Sequence, residues 1–182
     1  FTFGRNGGLN NLLLEPEMLE KRGISTVKSE RGGNITFHAP GQLVVYPIID
    51  LENARLDIPQ YVSLLEEVMI RTARDVDVEI HRQPGKPGVW AGNRKIGSIG
   101  VAVSKGVSYH GMALNVNLDL TPFEWIHPCG FTNITMSSLE KERSEDVESD
   151  EVKRIAQSQM ASIFKKELVM ISEQKICSLI NC

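Results

Sequence analysis

Apolar positions recur along this chain with two different periods. Leu64, Leu65, Val68, Met69, Thr72, Ala73 and Val76 follow one another at i, i+1, i+4 and i+5, which lays one stripe along an amphipathic α-helix. Asp57-Ile58-Pro59 supplies its start, because proline is tolerated in a first turn. The same period returns from Val152 through Ile155, Ala156, Met160, Ile163, Phe164 and Leu168, with Ser149 or Asp150 as cap and Glu151 in the first turn. Leu9, Leu12 and Leu13 share helical spacing near the start, and Pro16 is expected to interrupt any long helix there. The remaining pattern reads as strands at 26–27, 35–38, 78–81, 88–91, 94–104 and 107–118, with Asn93 and Gly106 at hairpin turns. Arg31-Gly32-Gly33 and Ala39-Pro40-Gly41 read as turns. The run Leu43-Val44-Val45-Tyr46 with Ile48 and Ile49 predicts a central strand buried on both faces, and Pro47 within it predicts an edge or a bulge. Residues 83–88 read as a loop and residues 140–151 as a solvated connection. A strand-rich centre with two or three helices gives an α+β fold with a mixed or antiparallel sheet. Without repeats or a second domain, residues 1–182 are expected to form a single domain, with 173–182 as a peripheral tail.

Composition narrows the class. Hydrophobic residues at 41% and charged residues at 24% describe a globular chain, not a disordered one. No apolar run is long enough to span a membrane, and no secretory pattern opens the chain. The first residue is Phe1 and not Met, so the reading expects a preceding segment, and any targeting peptide with it, to be missing. Three cysteines, Cys129, Cys177 and Cys182, argue against a disulfide scaffold and for a reducing compartment, the cytoplasm or an organellar matrix. A net charge of −3 excludes a general nucleic-acid footprint. Charge is nevertheless uneven. Between Ile80 and Leu118 there is no Asp or Glu, while Arg82, Lys86, Arg94, Lys95 and Lys105 make the segment +5. Either strands simply avoid carboxylates, or a basic rim steers an acidic macromolecule.

The candidate chemistry centres on Ile126-His127-Pro128-Cys129-Gly130, where one thiol stands between a residue that fixes φ and one that frees it. An isolated cysteine is more often a small buried hydrophobe than a nucleophile. A thiol of ordinary pKa, near ~8.5, is mostly protonated at neutral pH and needs a nearby cation or helix N-terminus to act. Lys95, 34 positions earlier in a predicted strand, is one candidate, although a strand lysine alone is usually a solvated edge charge. His38, His110, His127 and Cys129 lack the paired spacing of a zinc site, so no metal is expected. No phosphate loop or dinucleotide fingerprint is present.

Four motifs in register carry a resemblance. Arg31-Gly32-Gly33-x-x-Thr36-Phe37-His38-x-Pro40-Gly41-Gln42, Lys95-Ile96-Gly97-Ser98-Ile99-Gly100, His110-Gly111-x-Ala113-Leu114-Asn115-Val116-Asn117 and Pro128-Cys129-Gly130 resemble the lipoyl(octanoyl) transferase family across nearly all of residues 1–139. The resemblance implies a fold shared with biotin and lipoate protein ligase catalytic domains. It implies transfer of an octanoyl or lipoyl group, without ATP or other cofactor, from acyl carrier protein to a lysine of a lipoyl domain. Acceptors would be the E2 subunits of 2-oxo acid dehydrogenases and the glycine cleavage H protein, and the enzyme would be a monomer. By position, Cys129 would be the nucleophile that becomes the octanoyl thioester, and Lys95 would lower its pKa and move protons. Arg31, Gly32, Gly33, Asn34, Ile35, Thr36, Phe37 and His38, then Ser98, Ile99 and Gly100, then Gly111, Met112 and Ala113, would line the acyl site. Ala39 stands where the family usually has glycine, and its methyl is expected to narrow the site or shift His38. His127 sits where the family holds no histidine and receives no role.

Physical chemistry is compatible with that mechanism. Exchange of one thioester for another needs no nucleotide. Amine attack needs a base, since a lysine amine is protonated at neutral pH; neutral Lys95 is the candidate. Backbone N–H groups near Cys129, Gly33 or Gly100 would face the developing oxyanion. Burying six methylenes is worth about 5 kcal/mol, enough to favour octanoyl over shorter chains. Two other readings compete: an ATP-dependent lipoate or biotin ligase, which does not need the thiol, and a non-catalytic carrier-protein or acyl-binding module with Cys129 in its core.

Overall fold

The computed structural model describes residues 1–128, 134–172 and 175–177. In chain order the elements are β1 (Thr2–Phe3), α1 (Pro16–Lys21), β2 (Val27–Lys28), β3 (Ile35–Thr36), β4 (Gln42–Val45), α2 (Ile58–Arg74), β5 (His81–Gln83), β6 (Lys86–Ala91), β7 (Arg94–Ser104), β8 (Val107–Asn115), β9 (Thr135–Met136), α3 (Leu139–Arg143) and α4 (Ser149–Phe164). The larger sheet runs β4-β8-β7-β6-β5 with antiparallel neighbours, and β9 adds in parallel beside the start of β7. A small sheet, β2-β1-β3, lies apart from it. The α+β expectation holds.

The predicted central helix forms because its ends and its stripe agree. The Asp57 side chain accepts from the Gln60 N–H at 2.7 Å, and the Gln60 side chain accepts from the Asp57 N–H at 3.0 Å, a reciprocal cap. Tyr61, Leu65, Val68, Met69 and Ala73 are fully buried against the sheet, with Ile96, Met112 and Leu114 in the same core. The β7–β8 hairpin turns on Lys105 and Gly106, both at positive φ (49° and 80°), as a two-residue hairpin demands. A second core collects Phe1, Phe3, Ile35, Phe37, Phe123, Ile126 and Met136 under the small sheet. There Phe37 meets Phe1 at 5.1 Å and Phe123 edge-on at 5.6 Å.

Several expectations are corrected. Pro16 does not interrupt a helix; it opens α1, where its missing N–H costs nothing, and Leu9–Asn11 is one 3₁₀ turn. The run from Leu43 is not a central strand. β4 pairs only with β8, Val44 and Tyr46 are exposed, and the edge predicted by Pro47 is what forms. Strand β6 begins inside the expected loop at Lys86. Pro87 and Gly88 fall where the register against β5 shifts, so neither is asked for a ladder bond. The strand expected at 78–81 starts only at His81, and β8 stops at Asn115 because Val116 and Asn117 turn their N–H groups to the Gly41 carbonyl. The solvated connection contains α3, capped by Ser138 and anchored by fully buried Leu139, one apolar residue too few to show a period. Helix α4 starts at Ser149 without a side-chain cap and ends at Phe164, where Lys165 turns left-handed at φ 51°; Leu168 lies beyond it. No described helix is long and apolar enough to cross a membrane.

Candidate active site

A cleft opens where the Arg31–His38 segment crosses the β7–β8 hairpin. Arg31, Gly33, Asn34, Thr36, His38, Ser98, Ile99, Gly100, Gly111, Met112 and Ala113 line it, together with Val44 and Tyr46 from the edge strand. Gly32, Ile35 and Phe37, also expected to line it, do not. Strand alternation sends Asn34, Thr36 and His38 to the cleft and buries Ile35 and Phe37 in the second core. Gly32 serves from behind, its N–H bonded to the Val101 carbonyl at 2.8 Å, which docks the turn against β7 beyond the end of β6. That approach needs a bare backbone at Gly100. A Cβ there would lie 2.9 Å from Arg31 Cδ and 3.0 Å from the Gly32 carbonyl. Arg31 is held by β1, its guanidinium donating to the Thr2 carbonyl at 2.6 Å and the Thr2 hydroxyl at 3.0 Å.

His38 has its orientation fixed by a relay that sequence reading missed. Asn115, 1% exposed, donates from Nδ2 to the Ser137 carbonyl at 2.8 Å, so its Oδ1 faces the Gln42 amide and accepts at 2.8 Å. Gln42 Nε2 also reaches the Phe37 carbonyl at 3.3 Å. Its Oε1 is therefore left to accept from His38 Nδ1 at 2.7 Å. Burial pushes the imidazole pKa below its ordinary value. The Gln42 bond works against this, and the Arg31 guanidinium adds to the lowering. Two signals in the sequence point at this relay: a glutamine just past a Pro-Gly turn, and an asparagine ending an apolar strand.

Lys95 is not the solvated edge charge of the bland reading: it is 1% exposed. Its Nζ donates to the Pro87 carbonyl at 2.9 Å and sits 5.3 Å from the Trp90 ring centre. Gly88 makes room for it, with φ at 112° and an ideal Cβ that would come within 2.9 Å of Lys95 Cε. On its other side Lys95 is in register with Met136 of β9, and its carbonyl accepts from the Ser137 N–H at 2.8 Å.

Cys129 lies outside the described residues, but both flanks are placed. Upstream, Ile126 bridges Leu12, and the His127 N–H donates to the Asn11 carbonyl at 2.8 Å. The Asn11 side chain donates to Asn34, which lines the cleft, at 3.0 Å. Downstream, Thr135 and Met136 lie beside Arg94 and Lys95. No cluster of three or more His, Cys, Asp or Glu side chains is assembled among the described residues.

Two sequence expectations about the surroundings change. The Ala39 methyl packs against the second core and does not line the cleft, and its backbone φ is not positive. The basic rim is largely compensated. Arg82 pairs with Glu66 and Glu67, Arg94 pairs with Glu142 at 2.6 Å, and Lys95 is inside.

Comparison with known proteins agrees with this geometry. An octanoyltransferase from Desulfotalea psychrophila is 47% identical over 174 residues, covering 94% of this chain and 78% of its own. Among solved structures, lipoate-protein ligase A bound with ATP superposes with a TM-score of 0.76 at 19% identity, covering 99% of this chain and 75% of that one. Biotin protein ligase from Aquifex aeolicus gives 0.57 at 14%, covering 90% and 68%, and both likenesses speak to the fold alone. The family model for the lipoyl protein ligase A/B catalytic domain matches residues 1–161. The chain belongs to the lipoyl protein ligase A/B catalytic-domain family, among relatives named octanoyltransferase.

Proposed function

We propose that this protein is an octanoyltransferase that carries an acyl group from acyl carrier protein to a lysine of lipoyl domains through a thioester on Cys129. The observation that carries the reading is the bracketing of the Cys129 segment. Two residues before it, His127 is tied to Asn11 and through Asn11 to the cleft; six residues after it, Thr135 begins the strand alongside buried Lys95. The described flanks of that segment thus run from the cleft on one side to Lys95 on the other.

In the first half-reaction the Cys129 thiolate attacks the carbonyl carbon of the donor thioester. The bond to the carrier sulfur breaks, and the Lys95 ammonium gives that sulfur a proton. In the second, an acceptor lysine nitrogen attacks the Cys129 thioester carbon and Cys129 leaves as a thiolate, with one proton returning to Lys95. The exchange of one thioester for another is nearly balanced, which suits a chain without a nucleotide-binding motif. Apolar cleft residues Ile99, Met112 and Ala113 would bury the methylenes, about 0.8 kcal/mol each. Acyl groups of shorter chain forfeit that burial. E2 subunits of 2-oxo acid dehydrogenases and the glycine cleavage H protein are the acceptors proposed, and the enzyme is proposed to act as a monomer in a single catalytic domain.

Intact mass after mixing with octanoyl-acyl carrier protein, without ATP or metal, tests the reading. Wild type should gain one octanoyl group and Cys129→Ala none. A wild-type protein that stays unmodified, or a Cys129→Ala variant that still transfers, would overturn it.

A further inference from the structure

The proposed two-step reaction leaves one proton unaccounted for. The acceptor enters as an ammonium and leaves as an amide with one N–H, so it sheds two protons. Lys95 gives one proton to the departing carrier thiol and can take back only one, since Cys129 is restored as a thiolate beside a lysine ammonium. A second base facing the cleft would take that proton and let the ammonium form of the acceptor, the abundant form at neutral pH, react.

We propose that His38 is this base, accepting the acceptor ammonium's first proton on Nε2, and that Gln42 and Asn115 are positioning residues that fix its tautomer. The inference rests on the acyl-transfer reading above. The relay from the Ser137 carbonyl through Asn115 and Gln42 commits Nδ1–H as a donor. Nε2 then carries the lone pair, and it has no hydrogen-bond partner among the described residues. The ring lines the same cleft as Asn34, which is joined through Asn11 to His127. Arg31, from the preceding turn, is the charge that acts on it, and a cation there favours the neutral ring. Gln42 and Tyr46 face it from β4 and the residues just after, and neither carries a charge at neutral pH. The step balances. The ammonium gives a proton to Nε2, the C–N bond forms as the C–S bond breaks, the second nitrogen proton passes to Lys95, and the imidazolium releases its proton to water. The relay also joins the two bases, because Ser137, whose carbonyl anchors Asn115, bonds through its N–H to the Lys95 carbonyl.

The test separates the half-reactions. Octanoyl-enzyme is formed with octanoyl-acyl carrier protein, then mixed with a lipoyl domain in single turnover from pH 6 to pH 9. Wild type should show a rate that is flat from about pH 7 to 9, because a neutral imidazole accepts from an ammonium across that span. His38→Ala should lose about 10²-fold or more in the second half-reaction at pH 7, and far less in the first. Its second half-reaction should rise about tenfold per pH unit toward the lysine value near ~10.4, and added imidazole should restore rate. Gln42→Glu, which keeps an acceptor for Nδ1–H but adds charge, should move the low-pH limb upward. Equal losses in both half-reactions with a flat profile would overturn the inference, as would an unmoved limb in Gln42→Glu, which decides the matter should His38→Ala not fold. A wild type that forms no octanoyl-enzyme would instead remove the transfer reading itself.

Discussion

Ala39 is one methyl larger than the glycine the family pattern expects, and its consequence depends only on where that methyl points. It packs against the second core and does not line the cleft. Ala39→Gly should therefore leave octanoyl transfer within about twofold and lower stability by about 0.4–1 kcal/mol through a looser unfolded chain. Transfer rate and urea midpoint measured together check this; a several-fold gain in rate would mean that the methyl does obstruct the site. Lys95 makes the complementary point. Its identity was legible as chemistry, but its burial depends on Gly88, a residue that read only as part of a loop.

Among elements, β9 and α3 carry more than their seven residues suggest. They hold Ser137 between Lys95 and Asn115, and α3 is clamped to β7 by Glu142, which accepts from Arg94 at 2.6 and 2.7 Å and from the Ser137 hydroxyl. The Arg94 hydrogen bonds, aided by Ser137, hold the Glu142 carboxyl below its ordinary pKa despite an opposing desolvation. A carboxyl depressed in the folded state stabilises above its unfolded pKa, and that contribution is lost as pH falls through the folded value. Glu142→Gln should thus be less stable than wild type near pH 7, with the two urea midpoints converging below about pH 4. A difference that persists unchanged into acid would assign the loss to packing and not to charge.

The molecule as a whole is two cores meeting at the cleft. One lies between α2, α4 and the large sheet, the other under the small sheet and around Phe37. The wall bearing Arg31 and His38 belongs to the second, the wall bearing Ser98 to Gly100 and Gly111 to Ala113 to the first. Phe37→Ala, which empties an aromatic cluster, should cost about 3–5 kcal/mol. Hydrogen exchange should rise in β1–β3 while α2, β7 and β8 stay protected, and acyl transfer should fall with the loosened wall. Uniform loss of protection would mean that the two cores unfold as one.

The sequence by itself determined the elements whose signal is local. The stripe of α2 and its Asp57 start, the hairpin turns at 92–93 and 105–106, and the α+β class follow from period and turn chemistry. Its motifs also named most residues that line the cleft, but they counted Ile35 and Phe37 among them, and only the fold turned those two into the second core. Tertiary structure decided what depends on partners distant in the chain. It made the Leu43 run an edge strand, because an apolar run does not say how many neighbours it will have. It turned Asn115 and Gln42 into a relay, because hydrogen bonds spanning 73 positions leave no trace in spacing. It paired Arg82 and Arg94 with carboxylates outside their own segment, because net charge along a stretch does not report what folds against it. And it set buried Lys95 beside the strand that follows Cys129, a contact that follows from the parallel addition of β9 to β7.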